Sequence, residues 1–119
     1  MAAARLSIRI DLAGDIRIGP GKIALLEAIR TTGSISAAAR SLGMSYRRAW
    51  LLVEEINNSL REPAVTAASG GRHGGGAAIT AVGEKVVDLY HEIESCARLA
   101  AGREFRQLGT LVRREKVRA

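Results

Sequence analysis

The sequence predicts a mainly helical fold of the α+β class, with an N-terminal strand, four helices and a glycine-rich hairpin in one domain. Three observations carry that prediction. A length of 119 residues suits a single compact unit. Apolar residues recur at helical spacing along four segments and alternate strictly along one, residues 5–12. Glycine is concentrated at the breaks between segments, above all in Gly70–Gly76, where five of seven residues are glycine.

The elements follow in order. Arg5-Leu-Ser-Ile-Arg-Ile-Asp-Leu12 puts Leu6, Ile8, Ile10 and Leu12 on one face, the pattern of a half-buried strand. Ala13-Gly14-Asp15 turns the chain into a short Ile16-Arg17-Ile18 segment, and Gly19-Pro20-Gly21 punctuates it. From Lys22 to Arg30, Ile23, Leu25, Leu26 and Ile29 make a helical stripe that Gly33 stops. Ser34 or Ser36 caps a short second helix, whose run of alanines lets another helix approach closely before Gly43 breaks it. Ser45 caps a third helix from Tyr46 to Leu60, in which Tyr46, Ala49, Trp50, Val53, Ile56 and Leu60 recur at helical spacing. Trp50 is read there as a core residue beside Val53.

Beyond Pro63, residues 64–69 and 77–79 pair as short strands around a tip that displays Arg72 and His73. Thr80 then caps a long helix reaching about Ala101, with Val82, Val86, Leu89, Ile93, Cys96 and Ala100 in heptad-like spacing. Residues 1–101 are thereby one domain. Residues 102–119 are basic and weakly patterned, and are expected to be frayed, extended or ordered only by a partner.

Composition narrows the class. Hydrophobic residues make up 47% but aromatics only 3%, so the core must be aliphatic and rich in alanine. The longest apolar runs fall far short of a membrane span and no signal segment opens the chain, so a cytoplasmic protein without a membrane partner is expected. Cys96 is the single cysteine, which excludes an internal disulfide framework and a cysteine-built zinc site. The net charge of +6 is unevenly spread: residues 1–97 hold 11 basic and 10 acidic residues, whereas residues 98–119 hold 7 and 2. Within the body, Arg40, Arg47 and Arg48 form an acid-free patch. A small localised patch of this kind points to a polyanion partner more than the headline charge does.

Two helices joined at a glycine turn, with small residues where they cross, make a helix-turn-helix, whose second helix enters a DNA major groove. Ala38 and Ala39 stand at the crossing, Leu42 before the turn, Gly43 in it and Met44 after it. The hairpin directly after the third helix makes the unit a winged helix-turn-helix. Over residues 22–90, Gly33-Ser-Ile-Ser-Ala-Ala-Ala39, Gly43-Met-Ser-Tyr-Arg-Arg-Ala-Trp50, Gly70-Gly-Arg-His-Gly-Gly-Gly76 and Thr80-Ala-Val-Gly83 resemble the N-terminal winged-helix domain of the molybdate-responsive ModE regulators. More distantly, the chain is similar to the DNA-binding domain of LysR-type regulators. The resemblance implies a dimeric, sequence-specific transcription factor acting on double-stranded DNA, not an enzyme. Full-length ModE regulators carry C-terminal oxyanion-binding domains. With about 18 residues beyond the long helix, molybdate binding is not expected from this chain alone, and no cofactor is expected.

The candidate DNA-binding residues are Lys22, Ser34, Ser36, Arg40, Ser45, Tyr46, Arg47, Arg48, Arg72 and His73. Arg47 or Arg48, in the first turn of the third helix, can fork onto guanine O6 and N7. Tyr46 either touches the sugar-phosphate rail or packs on the second helix. Ser34 and Ser36 either donate to a phosphate or only cap, and Lys22 and Arg40 are candidate backbone clamps. The wing glycines permit close approach to DNA, with Arg72 suited to a narrow A-T minor groove and His73 lending that contact a mild pH dependence. The candidate dimerisation residues are Val82, Val86, Leu89, Ile93, Cys96 and Ala100, although a long helix of this length can equally cover its own domain.

Catalytic chemistry fits poorly. The glycine cluster lacks the Gly-Lys-Ser/Thr ending of a phosphate-binding loop and lies between strands. His73, His91 and Cys96 do not fall at a metal-ligand spacing. The rival to DNA reading is a winged-helix adaptor that binds a protein partner through the long helix and tail.

Overall fold

The computed structural model describes residues 5–68 and 75–113. Strand β1 (Ile10–Leu12) pairs antiparallel with β2 (Ile16–Ile18), Ile10 opposite Ile18 and Leu12 opposite Ile16. The reversal between them needs left-handed backbone at Gly14 (φ 77°) and Asp15 (φ 65°), a glycine and one of the few side chains that tolerate it. Only the last three residues of the anticipated strand enter the ladder. The alternation upstream is nevertheless real, because Leu6, Ile8 and Ile10 are half-buried while Arg5, Ser7 and Arg9 are exposed. Tyr90 Oη fixes that upstream stretch by donating to the Ile8 carbonyl at 2.6 Å.

Helix α1 (Pro20–Thr32) starts with proline in its first turn and ends at Gly33, whose φ of 81° provides the left-handed cap. Its Ile23, Leu25, Leu26 and Ile29 are buried at the centre of the core. Helix α2 (Ile35–Ser41) is capped by Ser34, whose Oγ accepts from the Ala37 N–H at 3.0 Å. Helix α3 (Tyr46–Ser59) is capped in the same way by Ser45. Ala38, Ala39 and Ala49 are fully buried where α1, α2 and α3 meet, so alanine here is a spacing device: larger side chains would hold the axes apart.

Strands β3 (Val65–Ala68) and β4 (Gly76–Ile79) form the wing, with Val65 opposite Ile79 and Ala68 opposite Gly76. The wing is tied down at both flanks. The Ala77 N–H donates to the Gly33 carbonyl at 2.9 Å. Asn57 Oδ1 accepts from the N–H groups of Ala64 (2.8 Å) and Val65 (3.1 Å), and its Nδ2 donates to the Val65 carbonyl at 3.0 Å. Helix α4 (Ala81–Ala100) begins at Thr80, whose Oγ1 accepts from the Gly83 N–H and donates to the Pro63 carbonyl. It covers the domain with Gly83, Val87 and Tyr90. Among the described residues, no helix is long and apolar enough to cross a membrane.

The segment after Ala101 departs from the expectation of a frayed tail. Residues Gly102–Leu111 form a further helix, α5, separated from α4 by the non-helical backbone of Ala101. Phe105, Leu108 and Leu111 supply an apolar stripe at helical spacing, and Phe105 is half-buried near Leu6 and Arg98. Arg103 and Arg106, the basic residues within α5, are exposed on its other faces. Residues 114–119 lie outside the described ones.

Candidate nucleic-acid interface

Helix α3 builds the site because its two faces have opposite fates. Ala49, Val53 and Ile56 are buried against α1 and α2, so helix geometry alone turns the other side to solvent. Ser45 Oγ accepts from the Arg48 N–H at 3.1 Å and fixes the first turn. Tyr46, Arg47 and Arg48 project from that turn and are exposed, Tyr46 by 55%, which removes the alternative in which its ring packs on α2. Ser45, Arg47, Arg48, Leu51, Leu52 and Glu55 line one shallow open depression.

Trp50 is not a core residue. It is 42% exposed, one helical step of about 100° beyond the buried Ala49. The apolar line through the core runs Ala49–Val53–Ile56, and Trp50 shares its flank with Tyr46 and Asn57. Since Asn57 holds the wing base, Trp50 sits on the wing side of the helix. Leu51, 48% exposed and one turn beyond Arg47, escaped the sequence reading. Counting steps of about 100° from the buried line would have found it.

The other candidates separate into two groups. Arg40 is exposed on α2, and Ser36 is exposed in its first turn. Ser34 is occupied as the cap. Lys22 is not free to clamp a backbone phosphate: its side chain is only 14% exposed, and its Nζ donates to the Arg17 carbonyl at 2.7 Å and pairs with Glu55 at 2.6 Å. That pairing holds the Glu55 carboxyl below its usual range. Lys22 thus neutralises a carboxylate at the rim of the α3 depression and ties the β1–β2 hairpin and α1 to α3. Arg72 and His73 lie outside the described residues.

The heptad-like residues divide along the helix. Val82 and Val86 are half-buried, whereas Leu89, Ile93, Cys96 and Ala100 are exposed. The face that covers the domain is a different one, carried by Gly83, Val87 and Tyr90. Val86, Leu89 and Ile93 instead line an apolar groove with Ile10, Leu12 and Ile18 of the hairpin. Across the α1–α4 contact, Arg30 Nη1 pairs with Glu84 at 2.7 Å. His91 stands between Glu27 Oε2 (2.8 Å from Nε2) and Glu94 Oε1 (2.9 Å from Nδ1). Two carboxylates on its two ring nitrogens favour the imidazolium and raise its pKa, Glu27 contributing most.

No family profile matches the chain. Among characterised proteins, it is 54% identical over 79 residues to the molybdenum-pterin-binding protein MopB of Rhodobacter capsulatus, which covers 66% of the chain and 29% of MopB. It is 36% identical over 87 residues to the DNA-binding transcriptional dual regulator ModE of Escherichia coli K12, covering 73% of the chain and 33% of that protein. The chain therefore spans about a third of the length of these relatives. Among solved structures, the crystal structure of a CbnR_DBD–DNA complex superposes with a TM-score of 0.56 at 18% identity, over 74% of this chain and 95% of that one. This likeness establishes the winged helix-turn-helix fold.

Proposed function

We propose that this chain, whose N-terminal part makes it a homologue of the ModE-type proteins, is a DNA-binding transcriptional regulator that reads a specific site with α3. The observation that carries the reading is the two-sided character of α3. One face is wholly in the core, and the other offers Ser45, Tyr46, Arg47, Arg48 and Leu51 to solvent beside a wing.

In this reading α3 enters a major groove, where Arg47 or Arg48 forks onto a guanine. A good bidentate contact of that kind discriminates by about 1–3 kcal/mol. The first-turn N–H groups of α3 that the Ser45 cap leaves free, with Ser36 and Arg40, meet phosphates, and the wing, with Arg72 and His73, follows the adjacent backbone or minor groove. Two copies joined through Leu89, Ile93, Cys96 and Ala100 place two α3 helices on half-sites about one helical turn apart, or a multiple of it. Such a role places the protein in the cytoplasm.

The test is selection of duplexes from a random pool, followed by fluorescence anisotropy with the enriched site. Replacing both Arg47 and Arg48 with alanine is expected to leave the circular dichroism unchanged and to abolish preference for that site. Unchanged affinity of the double variant for it removes α3 as the reading helix.

A further inference from the structure

We infer that Leu51 is a specificity-determining residue that recognises the 5-methyl group of a thymine close to the guanine contacted by Arg47. The inference rests on the DNA reading proposed above and deepens it. At about 100° per residue, Leu51 falls about 40° from Arg47 and nearly opposite the buried line of Ala49, Val53 and Ile56. It is 48% exposed, yet it stands within the depression whose other walls are Ser45, Arg47, Arg48, Leu52 and Glu55. A single exposed leucine on an ordinary surface needs no explanation. This one sits in the strip of α3 most directly opposed to the core, flanked by two guanidinium groups, where a partner that neutralises the arginines must also cover the aliphatic side chain.

A DNA major groove meets both demands. Of the base edges exposed there, thymine alone presents a methyl group, next to the hydrogen-bonding atoms that an arginine reads on guanine. Spacing limits where that thymine lies. Four residues advance about 6 Å along a helix, against about 3.4 Å per base step along a DNA strand. Arg47 and Leu51 therefore meet bases one or two steps apart. A strip of two arginines alone would accept a guanine in many contexts; adding Leu51 restricts it to guanine with a thymine neighbour.

The experiment uses the full chain and the duplex it enriches from a random pool. Each thymine is replaced in turn by deoxyuridine, which removes the methyl group and nothing else. At one thymine within two steps of a guanine whose own replacement costs affinity, wild-type binding is expected to weaken about four-fold, the effect of one buried methyl. Leu51→Ala is expected to bind the unmodified duplex several-fold more weakly and to be indifferent to that uracil. Leu51→Met, which keeps an apolar reach, retains the sensitivity. Because Leu51 is exposed, both variants are expected to keep the wild-type melting temperature, which separates reading from stability. Indifference of the wild type to uracil at every thymine, or full sensitivity retained in Leu51→Ala, overturns the methyl reading while leaving site-specific binding in place. A chain that enriches no duplex overturns both.

Discussion

A Cβ placed on Gly83 would lie 2.5 Å from the Ala64 carbonyl oxygen and 2.6 Å from Ile79 Cγ1, so α4 reaches the base of the wing only because this side chain is missing. Neither neighbour yields cheaply, since one is backbone and the other is packed against the core. Gly83→Ala is expected to lower stability to urea by about 1–3 kcal/mol, despite the better helix propensity of alanine. His91 gives a pH-dependent prediction at the same scale. Its folded pKa is raised above the ordinary 6.5, so its stabilisation is complete below that value and is lost as pH rises through the folded one. Urea midpoints are expected to fall across that window in the wild type and to stay level in His91→Gln. What was legible at this scale was local. The capping serines, Thr80 and Gly33 act within a few residues of themselves, so their types announce them. Lys22 and Asn57 were not legible, because their partners Glu55, Ala64 and Val65 come from elements whose placement only the tertiary fold decides.

Among the elements, α3 and α4 each present one face to the core and another to water, and the sequence pattern identified the helices better than the faces. In α3 the stripe holds at Ala49, Val53 and Ile56, but Trp50 stands one helical step off it, because tryptophan's apolar bulk argues for burial whichever side it occupies. In α4 the heptad spacing is genuine, yet the helix docks on its own domain through the neighbouring line Gly83, Val87 and Tyr90. The seam is left outside, with Leu89 and Ile93 about half exposed beside the apolar surface of Ile10, Leu12 and Ile18. An aliphatic surface of this kind fits a second copy of the chain better than water. Sedimentation is expected to give a dimeric mass for the wild type and a monomeric mass for Leu89→Glu. The same monomeric mass for both removes the seam as an interface. Helix α5 was missed because seven basic residues over 98–119 mask a weaker apolar stripe through Phe105, Leu108 and Leu111.

At the scale of the whole molecule, the winged fold was legible because each break in the pattern, at Gly33, Gly43, Pro63 and Thr80, coincides with a real boundary. Charge is organised on the same plan. Glu27 and Glu84 are paired across the α1–α4 contact, Glu55 is held by Lys22, and Arg47 and Arg48 remain on the outer face of α3. Under the proposed DNA reading, specificity rests on this small surface, and the basic residues beyond Ala97 are expected to add sequence-independent attraction. The most direct test of site-specific DNA binding is the affinity of the full chain for its selected duplex, measured by anisotropy across a salt series beside a random duplex. DNA reading by α3 predicts a steep fall, with a log–log slope of roughly −0.9 for each phosphate neutralised, and a preference for the selected duplex at every salt concentration. A flat response with no preference between the duplexes would contradict it and favour a protein-binding adaptor.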